Sequence, residues 1–230
     1  MARKTKISRK QLLKGPDEFL TFSSKLIRYA VEHKTAVLSV VIICICLLSV
    51  IVGYRHVTNR DENNAFALLQ KATNRYQALV NEKGGPEAIA DVAGDFQKIV
   101  DTYPGRYGGK FAKVALANIN YNAGKIDEAA GLYRELLDQF SGISPSRELI
   151  ISSLGYCSEA KGDLPAAITW FEMLANPDEN SFMKNEALFH LGLLYEKTGK
   201  SDQSADAFKQ IAAGAEGSLY FELAKEKANG

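Results

Sequence analysis

The chain has 230 residues, 46% hydrophobic and 24% charged, with a formal net charge of +1, which excludes a disordered or low-complexity polymer. Its three cysteines exclude a disulfide framework. The near-neutral total hides a division, because residues 1–34 sum to +6 (nine basic, three acidic) and residues 61–230 to −7 (17 basic, 24 acidic). The larger part is therefore a poor electrostatic match for nucleic acid.

Residues 15–34, GPDEFLTFSSKLIRYAVEHK, carry a helix start. Pro16 suits the first helical position, and Asp17 and Glu18 favour the positive end of the helix dipole. At 100° per residue, Phe19, Leu20, Phe22, Leu26, Ile27, Tyr29, Ala30 and Val31 fall on one side. Asp17, Glu18, Thr21, Ser24, Lys25, Arg28 and Glu32 fall on the other. An amphipathic helix behind a basic tail either lies along the inner leaflet or docks on a protein, and the sequence leaves both open.

From Ala36 to Val52, 17 residues pass without a charge, and 12 of them are Val, Ile or Leu. With Gly53 and Tyr54 the run makes roughly 28 Å of helix, close to the hydrocarbon thickness of a bilayer. At about −0.4 kcal/mol per Val, Ile or Leu, insertion is favoured by roughly 5 kcal/mol. The long leader and the lack of a small-x-small site argue against a cleaved signal peptide. Nine basic residues precede the run and three come within the next twenty. The positive-inside rule thus places the N-terminus in the cytoplasm and the C-terminal bulk outside. Ala36, Ser39, Cys46, Ser49 and Gly53 share about 140° of the helix surface, a small-residue face suited to close helix packing in lipid. No Pro or Gly interrupts residues 54–83, so the span is free to continue through them as one helix.

Beyond Tyr54 the pattern is helical and its punctuation recurs. Three stretches align on a glycine: LANINYNAGKIDEAAGLYRELL (116–137), LGYCSEAKGDLPAAITWFEML (154–174) and LGLLYEKTGKSDQSADAFKQI (191–211). Each runs to a turn glycine, Gly124, Gly162 or Gly199. A small residue comes five later (Ala129, Ala167, Ser204) and an aromatic nine later (Tyr133, Phe171, Phe208). Phe96 in DFQKIVDTYP supplies an earlier unit, so the aromatics recur at intervals of 37, 38 and 37. The paired glycines at 84–85 and 108–109 fit turns at helix boundaries. The tail GSLYFELAKEKANG (217–230) reads as a capping helix that sets Leu219, Tyr220 and Leu223 on the last pair.

These motifs resemble the tetratricopeptide repeat, whose helix–turn–helix unit carries Leu-Gly-x-x-Tyr, a turn Gly, a small residue, an aromatic and a closing Pro. The unit at 191–211 matches with Leu191, Gly192, Tyr195, Gly199 and Phe208, whereas Asn120 and Ser158 replace the Tyr in the two before it. The expectation is an all-α chain: one N-terminal transmembrane helix, then a tetratricopeptide-like α-solenoid of about four helix pairs, then the cap. Its expected segments are a cytoplasmic leader (1–34), the span (35–54), a linker or helical continuation (55–61) and the repeat domain (62–230).

In that fold the first helix of each pair lines a concave side. The resemblance therefore implies a protein-binding groove of Val114, Asn118 and Tyr121, then Ser152, Tyr156 and Glu159, then Phe189, Leu193 and Glu196. Aromatics mixed with polar groups suit such a surface. The competing reading is that these residues pack against neighbouring helices. Asn118 matches the carboxylate-clamp members of the family, but Val114 stands where they carry Lys. No GxxxxGK[ST], GxSxG, HExxH or paired CxxC occurs, and His33, His56 and His190 lie in separate regions. We expect no enzymatic activity, no cofactor, no metal and no small-molecule substrate. Cys44 and Cys46 lie about 200° apart on a helix and cannot share a ligand, and Cys157 reads as a small buried hydrophobe.

The whole layout resembles the YfgM-like family of membrane-anchored tetratricopeptide proteins, ancillary subunits of the bacterial SecYEG translocon. That resemblance implies a periplasmic repeat domain held at the inner membrane, with translocon subunits, periplasmic chaperones or exported clients as partners. An assembly or accessory scaffold for a secretion, pilus or respiratory complex is the alternative.

Overall fold

The computed structural model describes residues 18–83, 85–140, 145–176, 181–214 and 219–229. Every described element is an α-helix: α1 Glu18–Glu32, α2 Lys34–Lys83, α3 Gly85–Thr102, α4 Tyr107–Asn122, α5 Ile126–Gln139, α6 Pro145–Ala160, α7 Leu164–Ala175, α8 Lys184–Lys197, α9 Ser201–Ala212 and α10 Leu219–Asn229. The chain divides into two units, residues 1–59 and residues 60–230. Residues 55–61 lie within α2.

In the first unit, α1 and the early turns of α2 are separated only at His33, where the backbone hydrogen bonds from His33 to Tyr29 and from Val37 to His33 carry on. Pro16 and Asp17 lie outside the described residues. Phe22, Leu26, Ile27, Tyr29 and Val31 of α1 are all exposed. The stretch 34–82 is the one described helix long and apolar enough to cross a membrane, and none of its most apolar part is buried. Ser39 and Ser49 return their hydroxyls to the carbonyls of Thr35 and Ile45, at 2.9 and 2.8 Å. This bonding satisfies a serine where no outside partner is at hand. Ala36 and Cys46 are exposed, and a Cβ built on Gly53 would meet nothing within 4 Å outside its own turn of helix.

In the second unit, α2 from Arg60 onward pairs with α3, α4 with α5, α6 with α7, and α8 with α9. The three aligned glycines make the later turns. Gly124, Gly162 and Gly199 have φ of 76°, 76° and 74°, and no other described residue has positive φ. Each closes the same pair of bonds: Gly124 N–H donates to Tyr121 and Lys125 N–H to Asn120, Gly162 to Glu159 and Asp163 to Ser158, Gly199 to Glu196 and Lys200 to Tyr195. This is the Schellman arrangement, which satisfies the last carbonyls of a helix through a left-handed residue. The residue after each glycine then opens the next helix, its carbonyl accepting from Ala129, Ala167 or Ser204. One three-residue turn thus ends one helix and starts its partner.

The recurring aromatics Phe96, Tyr133, Phe171 and Phe208 are all buried. They belong to clusters that overlap along the chain. Leu132 joins the cluster of Phe96 to that of Tyr133, Trp170 joins that of Tyr133 to that of Phe171, and Ala175 joins that of Phe171 to that of Phe208. Each pair buries its face on the next, as a solenoid requires.

Two expectations are corrected. Gly108 and Gly109 are not turn glycines; both lie in the first turn of α4 without positive φ. Close approach demands them, since a Cβ on Gly108 would meet Ala65 Cβ at 2.6 Å and one on Gly109 the Tyr103 carbonyl oxygen at 1.9 Å. Gly84 lies outside the described residues. In the cap, Leu219 is exposed, whereas Phe221 and Ala224 are buried and Tyr220 and Leu223 are half-buried. The face that packs is centred on Tyr220, Phe221 and Ala224, and helical phase puts Leu219 about 150° away from its centre.

Candidate functional site

On α4, α6 and α8 the expected groove positions stand ten, six and three residues before each turn glycine. These spacings, with the position thirteen before, fall within about 80° of one helix face. The thirteenth position holds Phe111, Leu149 and Glu186.

On α4, Val114 and Tyr121 are half-buried and pack on the Tyr133 cluster. Asn118 is exposed, and its Oδ1 accepts the Tyr133 hydroxyl proton in a short hydrogen bond. Burial raises the Tyr121 phenol above its ordinary value and pushes Tyr133 up to about 12. On α8, Phe189 sits between the rings of Phe208 and Tyr220, with centroids 5.8 and 5.7 Å away. Leu193 is half-buried beside it. Glu196 is exposed and takes Lys227 Nζ at 3.1 Å.

Between α6 and α8 the side chains form one hydrogen-bonded cluster. Tyr156 donates to Glu186 Oε1 at 2.6 Å, and Ser152 donates to the same oxygen at 3.2 Å. The Tyr156 oxygen also lies 3.0 Å from His190 Nε2. Its single proton goes to Glu186, so the His190 Nε2–H donates to Tyr156. Nδ1 then faces Glu159 at 3.8 Å. The imidazole stacks on Phe171 with 5.0 Å between centroids and 13° between planes. Burial holds the His190 pKa below its ordinary value, against the opposing pull of Glu159 and Glu186. Burial and the Glu186 hydrogen bond push the Tyr156 phenol well up. Burial, and after it the nearby Glu186 carboxylate, raises the Tyr220 phenol above its ordinary value. Glu159 is met by Lys197 Nζ at 2.6 Å.

The structure thus brings Ser152, Tyr156 and Glu159 together with residues of α8, but it moves Ser152 to the interior. At 2% exposure, with its hydroxyl spent on Glu186, Ser152 offers nothing to a partner. Glu186, His190 and Tyr220 are absent from the expected groove. One more turn of the same helical count reaches Glu186; nothing in the sequence pairs it with Tyr156, 30 residues earlier. Among the described residues no three His, Cys, Asp or Glu converge in a way that could hold a metal ion.

Helix pairs closed by left-handed glycines, stacked through recurring aromatics, define the class: an all-helical solenoid of tetratricopeptide type. Residues 114–181 and 186–213 each match the tetratricopeptide repeat family, whose fold is typically a non-catalytic protein-interaction scaffold. Among solved structures, a tetratricopeptide repeat protein from Parabacteroides merdae ATCC 43184 is similar with TM-score 0.54 and 17% identity over 69% of this chain. The match spans 58% of that protein's length. Tetratricopeptide-like repeats of a putative kinesin light chain from Podosopora anserina give TM-score 0.55 and 13% identity, covering 70% of this chain and 82% of theirs. A point variant of the same repeats gives the same values. At such identities the likeness is one of fold. No curated protein matches the chain.

Proposed function

We propose that this protein is a non-enzymatic, protein-binding scaffold anchored in the bacterial inner membrane by residues 35–54, with its repeat domain in the periplasm. It serves there as a chaperone-like adaptor beside the protein-export translocon. The observation that carries the anchor is the wholly unburied apolar window of α2, which water would not leave uncovered. Support for orientation comes from the nine basic residues before the run against three in the twenty after it. Support for protein binding comes from the repeat class and from half-buried Tyr121, Tyr156 and Phe189 on one face. The translocon rests on the resemblance of the whole layout to YfgM-like proteins.

Photo-crosslinkers at Tyr121, Tyr156 and Phe189 in living cells, followed by purification of the detergent-solubilised full chain, test this. Capture of translocon subunits, periplasmic chaperones or exported chains is expected. Capture of a different envelope complex, with none of these, overturns the translocon reading. A C-terminal tag reached only by cytosolic reagents overturns the topology.

A further inference from the structure

The face formed by the first helices changes character along the solenoid. Phe111, Leu149 and Glu186 occupy one repeat position on α4, α6 and α8, thirteen residues before the three turn glycines. Phe111 is 37% exposed and Leu149 51%. Phe66 of α2, also exposed, lies beside Phe111 with 6.2 Å between centroids. The file is therefore oily over the earlier pairs and ends on a carboxylate.

That carboxylate differs from its neighbours. Glu159 is neutralised by Lys197 and Glu196 by Lys227. Glu186 is half-buried and bound by the hydroxyls of Ser152 and Tyr156. No lysine or arginine among the described residues forms an ion pair with it. Hydroxyl donors fix the carboxylate in position without supplying a countercharge. His190, one turn on, is kept neutral by burial near pH 7 and supplies no compensation. Tyr156, Phe189 and Tyr220 provide aromatic surface around it. A charge so placed is matched by a cation on an apolar stem, which means lysine or arginine.

We propose that this face selects extended polypeptide segments in which a lysine or arginine meets Glu186 while a large apolar side chain rests on Leu149. Neighbouring helix axes lie about 8–10 Å apart and an extended chain rises about 3.3 Å per residue, so the two side chains stand about three residues apart. The inference rests on the adaptor reading above and names the chemistry its groove prefers. The net charge of −7 over residues 61–230 draws the same partners from a distance.

The full chain in nanodiscs is titrated with short fluorescein-labelled peptides. One carries Leu and, three residues on, Lys; a second has norleucine for the Lys; a third has Glu. Fluorescence anisotropy is expected to show the Lys peptide binding about three- to tenfold tighter than the norleucine peptide, by a margin that shrinks with added salt. Glu186→Gln removes that margin, and Glu186→Lys turns the preference to the Glu peptide. Asp202→Asn, which changes net charge equally on a second helix of a pair, keeps it. Equal binding of the Lys and norleucine peptides, or a margin that survives Glu186→Gln, overturns the cation preference but leaves a peptide-binding groove. Failure of every peptide to bind overturns both the preference and the groove reading.

Discussion

The ring of Phe208 rests on the backbone of Gly192 so closely that a Cβ there would stand 2.5 Å from its Cζ. Phe171 and Gly155 repeat the relationship at 2.7 Å. The two helices of a pair meet at this point, and Ser204 uses the same opening to donate its hydroxyl to the Gly192 carbonyl at 2.8 Å. Gly192→Ala should therefore cost about 1–3 kcal/mol by overpacking. Urea unfolding of the full chain in detergent measures it, and adding Phe208→Leu should recover part of the loss. An unchanged midpoint for Gly192→Ala would mean that the pair separates freely at this seam.

The turn glycines make a second, different demand. Nothing lies within 4 Å of a Cβ built on Gly162, yet its φ of +76° disfavours one. Gly162→Ala should lose about 1–2 kcal/mol through backbone strain alone, and Gly162→Asn less, because asparagine enters the left-handed region more readily. Gly192→Ala and Gly162→Ala thus fail for separate reasons, and Asn substitution tells them apart: at Gly192 it should be worse than Ala.

These two positions explain why the repeat is legible in the sequence. A left-handed turn needs glycine whatever surrounds it, and a buried aromatic nine residues later is fixed by the geometry of one helix pair. Both requirements are local, so spacing alone reveals Gly124, Gly162 and Gly199 and their aromatics. Contacts between pairs are not local. Tyr156 with Glu186 and Glu148 with Phe182 span 30 and 34 residues, and whether they meet depends on how one pair stacks on the next. Gly108 escapes a sequence reading for the same reason, because its neighbour Ala65 lies on α2, while Gly109 is demanded by the way the turn before α4 brings the Tyr103 carbonyl against it. The placement of Leu219 turns on helical phase, which an eleven-residue helix leaves loosely specified.

Glu148, at the start of α6, is 7% exposed and accepts hydrogen bonds from Ser181 Oγ at 2.7 Å and the Phe182 N–H at 3.1 Å. Ser181 Oγ in turn accepts from the Met183 N–H at 3.1 Å, just before α8 begins. One carboxylate therefore ties the entry of the fourth pair to the third. Glu148→Ala should cost about 1–3 kcal/mol by removing the shared acceptor of two part-buried hydrogen bonds, while Glu148→Gln, which keeps an acceptor, should cost less. Hydrogen exchange at the Phe182 amide offers a direct readout, with faster exchange expected in the alanine variant. An unaltered exchange rate would assign the order of this entry to packing alone.

His190 gives the domain a pH dependence of definite sign. Burial holds its folded pKa below the ordinary 6.5, so the unfolded chain takes up the proton first as the medium is acidified. The stability contributed by neutral His190 is then fully present above about pH 6.5 and is lost as pH falls through the lowered value. The groups facing the ring decide its size: Glu159 and Glu186 oppose the loss, Lys197 adds to it, and Tyr156 accepts the Nε2 proton. His190→Gln keeps a side-chain donor but cannot titrate, so its urea midpoint should fall less than that of the unaltered protein between about pH 7 and pH 5. Parallel decline of the two curves would show that the carboxylates, not this imidazole, govern the acid side. Because Tyr156 links His190 to Glu186, protonation should also weaken binding of a cationic segment at Glu186 over the same range, and anisotropy at matched salt reads that change separately from unfolding.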